Sequence, residues 1–311
     1  MKFVIMGTGG IGGYYGALLS RSGQDVTFIA RGAHLQAIRE KGLIIKSVHG
    51  DFIVFPAQAT DIPADAGIAD VILFATKTYQ TDEAAFLIKP LVGPDTAVIS
   101  FQNGIDSADR IGAVVGMEHM LGGATWCSVA LEAPGVIGQY SQFRRIALGE
   151  FTGEKTQRLQ AVHDAFNTAG FTMETAENIL KVLWTKFAFI APVMLMGSLT
   201  RMTFGDYRHV PEARAVLTEA INEVAALAKA GGVALDADVA DKTLAFIDSG
   251  EPGIKPSMQR DVESGRPSEL ESMIGVAVRL GIKYNVPTPV MRFAYAMLKP
   301  RELHCAMLRN K

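Results

Sequence analysis

Apolar positions along this chain follow two rhythms. Over roughly the first half, short unbroken apolar runs at 3–6, 25–30, 71–75 and 97–101 alternate with stretches at 11–22 and 33–41 that read as helix. Runs that are apolar on both pleat faces suit strands buried on both sides, and strands alternating with helices predict a doubly wound parallel sheet. Around 119–150 the pattern becomes strand-rich, with a turn at 132–135. Beyond residue 176 it is helical almost without interruption, at 179–200, 210–231, 236–249, 268–283 and 288–298. The expected architecture is an α/β domain over residues 1–175 followed by an all-α domain over 176–311, and 311 residues suffice for two separate cores.

Charge and cysteine content narrow the function. Thirty Lys and Arg against 32 Asp and Glu leave no positive excess to neutralise nucleic-acid phosphates or an anionic membrane surface. Cys127 and Cys305 are too few for a disulfide framework and fit a reducing, cytoplasmic setting. The six histidines form no i,i+4 pair, so no metal site is expected. The opening apolar run ends at Gly7, short of the ~7–15 residues of a signal sequence. The longest apolar stretch, 187–200, covers about 21 Å as helix against the ~30 Å of a bilayer core, and reads as a buried helix rather than a membrane span.

Glycine is over-represented, with 31 residues, and its placement is informative. Gly7-Thr8-Gly9-Gly10-Ile11-Gly12 matches G-x-G-x-x-G directly after a strand and at the opening of a helix. That context defines a Rossmann-type nucleotide loop: Gly7 for a tight turn, Gly9 for close approach of backbone to pyrophosphate, Gly12 for helix–strand packing, with the helix N-terminus toward the phosphates. The second strand ends in Ala30-Arg31 where an NAD site usually carries an acid, and the nearest acid in sequence, Asp25, lies at the opposite end of that strand. A guanidinium there suits a 2′-phosphate, so the expected cofactor is NADP(H), although a solvated surface arginine accounts for Arg31 too. Lys77 and Asn103 also follow apolar strands, where ligands gather in open α/β sheets. Each has an ordinary alternative, a first-turn lysine and an Asn-Gly turn.

In the helical half, Lys186 stands at the mouth of an apolar helix, with Pro192 expected to kink it a turn later. Either it snorkels to solvent, or it is partly desolvated in a cleft, which would lower its pKa toward that of a useful proton donor. Glu269 lies in Ser268-Glu269-Leu270-Glu271, which reads as a capping box between Ser268 and Glu271, leaving Glu269 to complement the helix dipole or to face a cleft. Ser257 opens another short helix, as a cap or as a donor to a substrate carboxylate. The apolar helix at 216–228 is a candidate surface for a homodimer.

Taken together, GTGGIG, Arg31, Lys77 in ATKTYQT, Asn103 in FQNG, Lys186 in LWTKF and the run from Ser257 through Asp261 to Glu269 resemble the ketopantoate reductase (2-dehydropantoate 2-reductase) family over nearly the whole chain. The resemblance implies NADPH-dependent reduction of a 2-oxo acid, 2-dehydropantoate to pantoate in that family, within pantothenate biosynthesis. It implies Lys186 as general acid, Glu269 orienting the reacting end, Asn103 serving cofactor and substrate, and Ser257 holding substrate. The chain departs from the family pattern at Ile190, Met194 and Ile274, where members typically carry asparagine. That departure keeps open a more apolar 2-oxo or hydroxy acid; a dehydrogenase acting in oxidation and a non-catalytic NADP(H) sensor are the competing readings.

Overall fold

A computed structural model describes residues 1–309 of the chain. The described residues form two compact units, residues 1–102 with 107–182, and residues 103–106 with 183–309. The seam runs inside one helix, between Val182 and Leu183.

The first unit starts as the pattern predicts: β1 (Lys2–Met6), α1 (Gly10–Arg21), β2 (Asp25–Ile29) and α2 (Gly32–Lys41). Three short strands follow, β3 (Leu43–Ser47), β4 (Phe52–Val54) and β5 (Gln58–Thr60), then β6 (Ala69–Phe74), α3 (Thr81–Ile88), β7 (Val92–Ser100) and α4 (Ser107–Val115). The strand-rich stretch supplies β8 (Met120–Trp126), β9 (Val129–Ala133), β10 (Val136–Gln139) and β11 (Arg145–Gly149), and α5 (Gln157–Thr168) and β12 (Thr172–Thr175) complete the unit.

Eight strands form one sheet in the order β12-β11-β8-β7-β6-β1-β2-β5, parallel at every pairing except β8 with β11. Because β1 lies between β2 and β6, the chain reverses its direction of winding there, and the carboxyl end of β1 becomes the natural ligand crevice. β4-β3-β10-β9 form a second, smaller sheet, with β3 and β10 paired in parallel across about 90 residues of sequence.

The glycines of α1 explain how two sheets share one helix. A Cβ on Gly16 would lie 2.6 Å from the Phe28 ring and 2.8 Å from Ile5 on the large sheet, and one on Gly13 would lie 2.9 Å from Ile137 on the small sheet. Gly16 therefore packs on the large sheet, whereas Gly13 makes room for the small one. Tyr14 and Tyr15, between these glycines, are fully buried. Tyr15 stacks on Phe171 at 4.5 Å and contacts Phe101 at 5.2 Å.

Glu150, 5% exposed, shows how the unit satisfies a buried charge. Arg158 donates to both of its oxygens, at 2.8 and 2.7 Å, and Thr156 donates at 2.6 Å. Burial pushes its carboxyl up, but these hydrogen bonds outweigh that and hold it below the usual carboxylate range.

The second unit is helical: α6 (Ile179–Thr200, shared across the seam), α7 (Phe204–Tyr207), α8 (Pro211–Ala230), α9 (Val239–Ser249), α10 (Ser257–Glu263), α11 (Val276–Tyr284) and α12 (Pro289–Arg309). Among the described residues, α6 alone is long and apolar enough to cross a bilayer, and over half of its apolar window is buried within the fold. Phe187, Ala188, Ala191, Val193, Met194 and Leu195 form its core face. It runs unbroken through Pro192 and ends where Arg201 turns left-handed at φ 60°.

Two helix ends differ from expectation. The pattern ends the last helix at residue 298, yet α12 continues through Pro300 to Arg309. Tertiary bonds hold the extra turns: Glu302 accepts from the Ser268 amide and hydroxyl at 2.9 and 2.8 Å, and Arg301 donates to the Val262 carbonyl at 2.9 Å. The same contact overturns the expected capping box. Ser268 is paired with Glu302, while Glu271 takes Tyr295 at 2.8 Å, Arg279 at 2.9 Å and Lys299. Helical geometry begins at Leu270, and residues Glu271–Gly275 form a π turn before α11.

Candidate active site

In the first unit the glycine loop lines an open pocket of about 230 Å³. Its walls include Gly7, Thr8, Gly9, Arg31, His34, Thr76 and Glu83. Gly7 adopts φ +99°, and a Cβ there would stand 2.7 Å from the Thr76 amide nitrogen. A Cβ on Gly12 would run into the Gly7 carbonyl oxygen. At Gly9 nothing lies within 4 Å, so the backbone is open on the side a ligand would approach. Gly10 and Ile11 form the first turn of α1, with Gly10 against the Ala130 backbone. That turn has no side-chain cap and no acidic residue, so its amides and dipole are free to meet an anion. A pyrophosphate-bearing cofactor fits this cradle.

Arg31 borders the same pocket and is more than half exposed. Its guanidinium lies 3.4 Å from Glu83, an acid brought from the first turn of α3. Sequence order gave no sign of this carboxylate. His34 carries no sequence signal either, since both of its partners are distant in sequence. Its Nδ1 accepts from the Gly135 amide at 2.8 Å, so Nε2 carries the hydrogen and donates to the Thr8 carbonyl at 2.7 Å. The neutral ring thus ties the glycine loop to the β9–β10 turn, and burial pushes its pKa down. Lys77 is half-buried at the start of the 3-10 turn after β6, next to the pocket-lining Thr76.

In the second unit Lys186 is half-buried on α6, flanked in sequence by the buried Trp184 and Phe187, whose rings meet edge to face at 5.9 Å. Burial lowers its pKa to about 8, and the negative charge of Glu269 acts in the opposite direction. Glu269 is 5% exposed, at the end of the segment that enters the π turn, and its carbonyl accepts from the Ser272 and Met273 amides. π turns are rare and concentrate at functional sites, and the sequence pattern carried no signal for this one.

Asn103 belongs to this unit although it follows β7. Gly104, at φ +105°, sits so close to Ser272 that a Cβ would be 3.0 Å from its carbonyl oxygen. Arg279, which holds Glu271, reaches to 4.0 Å from Asp106 in the same loop. Asn103 is thereby seated beside the π turn that follows Glu269. Ser257 is the first residue of α10, and Pro256 holds the cap position, so the capping role expected of Ser257 is not realised. Pro256 and Gln259 pack on Gly197 of α6, about 16 Å along the helix from Lys186. Of the apolar departures, Met194 and Ile274 are core residues, whereas Ile190 keeps part of its surface accessible.

A doubly wound sheet with a glycine-rich anion cradle, joined in one chain to a helical unit carrying a desolvated lysine beside a carboxylate, is the organisation of a two-domain nucleotide-dependent oxidoreductase. The ketopantoate reductase PanE/ApbA family model matches residues 3–153, and its C-terminal counterpart matches residues 178–302. The chain belongs to the ketopantoate reductase family and is an oxidoreductase. It is 29% identical over 302 residues to the uncharacterized oxidoreductase YkpB of Bacillus subtilis, covering 97% of this chain and 99% of that one. It is 28% identical over 302 residues to 2-dehydropantoate 2-reductase of Pyrococcus horikoshii, covering 97% and 98%. The crystal structure of a PanE/ApbA family ketopantoate reductase from Ralstonia eutropha superposes with TM-score 0.91 at 28% identity, covering 98% of this chain and all of that one.

Proposed function

We propose that the protein reduces the keto group of a 2-oxo acid to the 2-hydroxy acid with NADPH. The observation that carries this reading is Lys186: an ammonium brought to a pKa of about 8 by burial, with a carboxylate close enough to act on it. Such a group is protonated at neutral pH yet gives its proton up far more readily than an ordinary lysine.

When bound, the nicotinamide supplies the hydride to the carbonyl carbon. Lys186 donates its proton to the carbonyl oxygen, so the developing alkoxide becomes the hydroxyl of the product. Glu269 keeps Lys186 charged between turnovers and orients the reacting end. The amides at Gly9, Gly10, Ile11 and Gly12 and the dipole of α1 hold the pyrophosphate, with Gly7 shaping the turn and Thr8 anchoring it through its amide and hydroxyl to the Ile29 carbonyl. Arg31 takes the 2′-phosphate by exchanging its partner Glu83, an exposed ion pair worth only about 0–1 kcal/mol. Lys77 and Asn103 complete the cofactor contacts, and Asn103 holds the substrate head; Ser257, at the far end of α6 from Lys186, is too distant to share that head. The reduced Cys127, its thiol pushed up to about 11 mainly by burial, suits a cytoplasmic enzyme.

2-Dehydropantoate, named in the P. horikoshii relative, is the first substrate to test. NADPH oxidation is followed with a panel of 2-oxo acids for the protein and for Lys186→Ala. Turnover that falls by about 10²–10⁴-fold in the variant is expected. Undiminished turnover in Lys186→Ala, or none with any 2-oxo acid, overturns the reading.

A further inference from the structure

The surface of α6 next to Lys186 bears on which acid is reduced. From Phe187 to Ser198 every side chain of the helix is buried except Phe189 and Ile190. These lie three and four residues beyond Lys186 and are therefore its neighbours along the helix face. A molecule that reaches the Lys186 ammonium along this face meets a phenyl ring and a branched alkyl group.

The apolar wall extends onto a second helix. Phe189 meets Phe246 of α9 edge to face, with ring centroids 4.9 Å apart and planes at 83°. Phe246 is 49% exposed, so this is a ring presented to solvent and not part of the unit's core. Neither ring nor the Ile190 side chain offers a donor or acceptor. Asn103 and Glu269 are the polar side chains assigned above to the keto acid head.

We propose that the substrate is a 2-oxo acid with an unfunctionalised hydrocarbon side chain, branched or aromatic, and that Phe189, Ile190 and Phe246 are the residues that select it. The inference rests on the assignment of Lys186 as proton donor to a 2-oxo acid. A hydroxyl carried to this wall gains no side-chain hydrogen-bond partner there, whereas a hydrocarbon group gains apolar contact.

The test compares kcat/KM, with NADPH and with NADH, for three acids: 2-dehydropantoate, its isostere with methyl in place of the terminal hydroxyl, and phenylglyoxylate. The isostere is expected to exceed 2-dehydropantoate by about 10²-fold, the discrimination an apolar pocket achieves against one polar group. Ile190→Asn should narrow that ratio, and Phe246→Ser, at an exposed position that folding tolerates, should lower kcat/KM for phenylglyoxylate about tenfold. Equal or better use of 2-dehydropantoate by the unmodified protein overturns the inference while leaving 2-oxo acid reduction intact. Turnover of none of the acids with either cofactor removes the underlying reading, and the inference with it.

Discussion

The proton-donor role of Lys186 makes a pH profile the most direct test of the site. An unperturbed lysine near 10.4 stays protonated throughout the working range. With a pKa of about 8, Lys186 is about 90% protonated at pH 7 and about 10% at pH 9. The reductive kcat/KM, which reports the free enzyme, should therefore be level below about pH 7 and fall tenfold per pH unit above about 8. Two opposed effects set that position, and one can be removed by itself. Burial lowers the pKa, and the Glu269 charge raises it. Glu269→Gln keeps the side chain's shape but deletes the charge, so the falling limb should move to lower pH and the rate at pH 7.5 should drop. Steady-state NADPH oxidation in buffers of constant ionic strength, with the variant's fold checked by thermal melting, reads both effects. A limb near 10.4 in the unmodified protein, or one that stays put or moves upward in Glu269→Gln, would refute the reasoning.

Other perturbations probe the remaining supports. Arg31→Ala should weaken NADPH by about 10–150-fold, the worth of about 1.5–3 kcal/mol for hydrogen bonds to a charged group, with little change for NADH; equal losses in a titration of both would exclude the 2′-phosphate role. Gly12→Ala drives a methyl group into the Gly7 carbonyl, and should abolish nucleotide binding and lower stability by about 1–3 kcal/mol in denaturant titration. Arg158→Ala leaves the Glu150 carboxylate buried without its main partner, and should destabilise by about 1.5–3 kcal/mol. Because the folded-state pKa of Glu150 is depressed, that stabilisation is present above its unfolded value of 4.5 and is lost as pH falls through the folded one. The Tm gap between the variant and the unmodified protein should accordingly close in acid; a gap that persists would show that Glu150 is not the charge involved.

What could be read from the sequence was what depends on neighbours in sequence. The turn at Gly7, the close packing at Gly12 and the opening of α1 are demands of consecutive residues, so the nucleotide loop was legible. The small sheet was not. Its strands are three to five residues long, and β3 finds β10 only after the chain has built most of the large sheet. Glu83 beside Arg31, the His34 strut between Thr8 and Gly135, and Glu302 capping Ser268 fail for the same reason: each joins residues 26 or more positions apart with no periodicity to announce it. Ser268 and Glu271 have capping-box spacing, but Ser268 bonds Glu302 while Lys299, Tyr295 and Arg279 take Glu271. Lys186 stood out as one cation in an apolar run, but only its resemblance to a known family paired it with Glu269.

The loop at 103–106 folds with the helical unit although the chain before and after it belongs to the other. The two halves of this protein are consequently not interchangeable by a single crossover. A chimera joined at residue 182 would inherit Asn103 and Asp106 from one parent, and Ser272 and Arg279, which seat them, from the other. Grafting a new helical half onto this nucleotide-binding unit therefore calls for two exchanged segments, the second only four residues long, and shuffled libraries that ignore it should be depleted of active members.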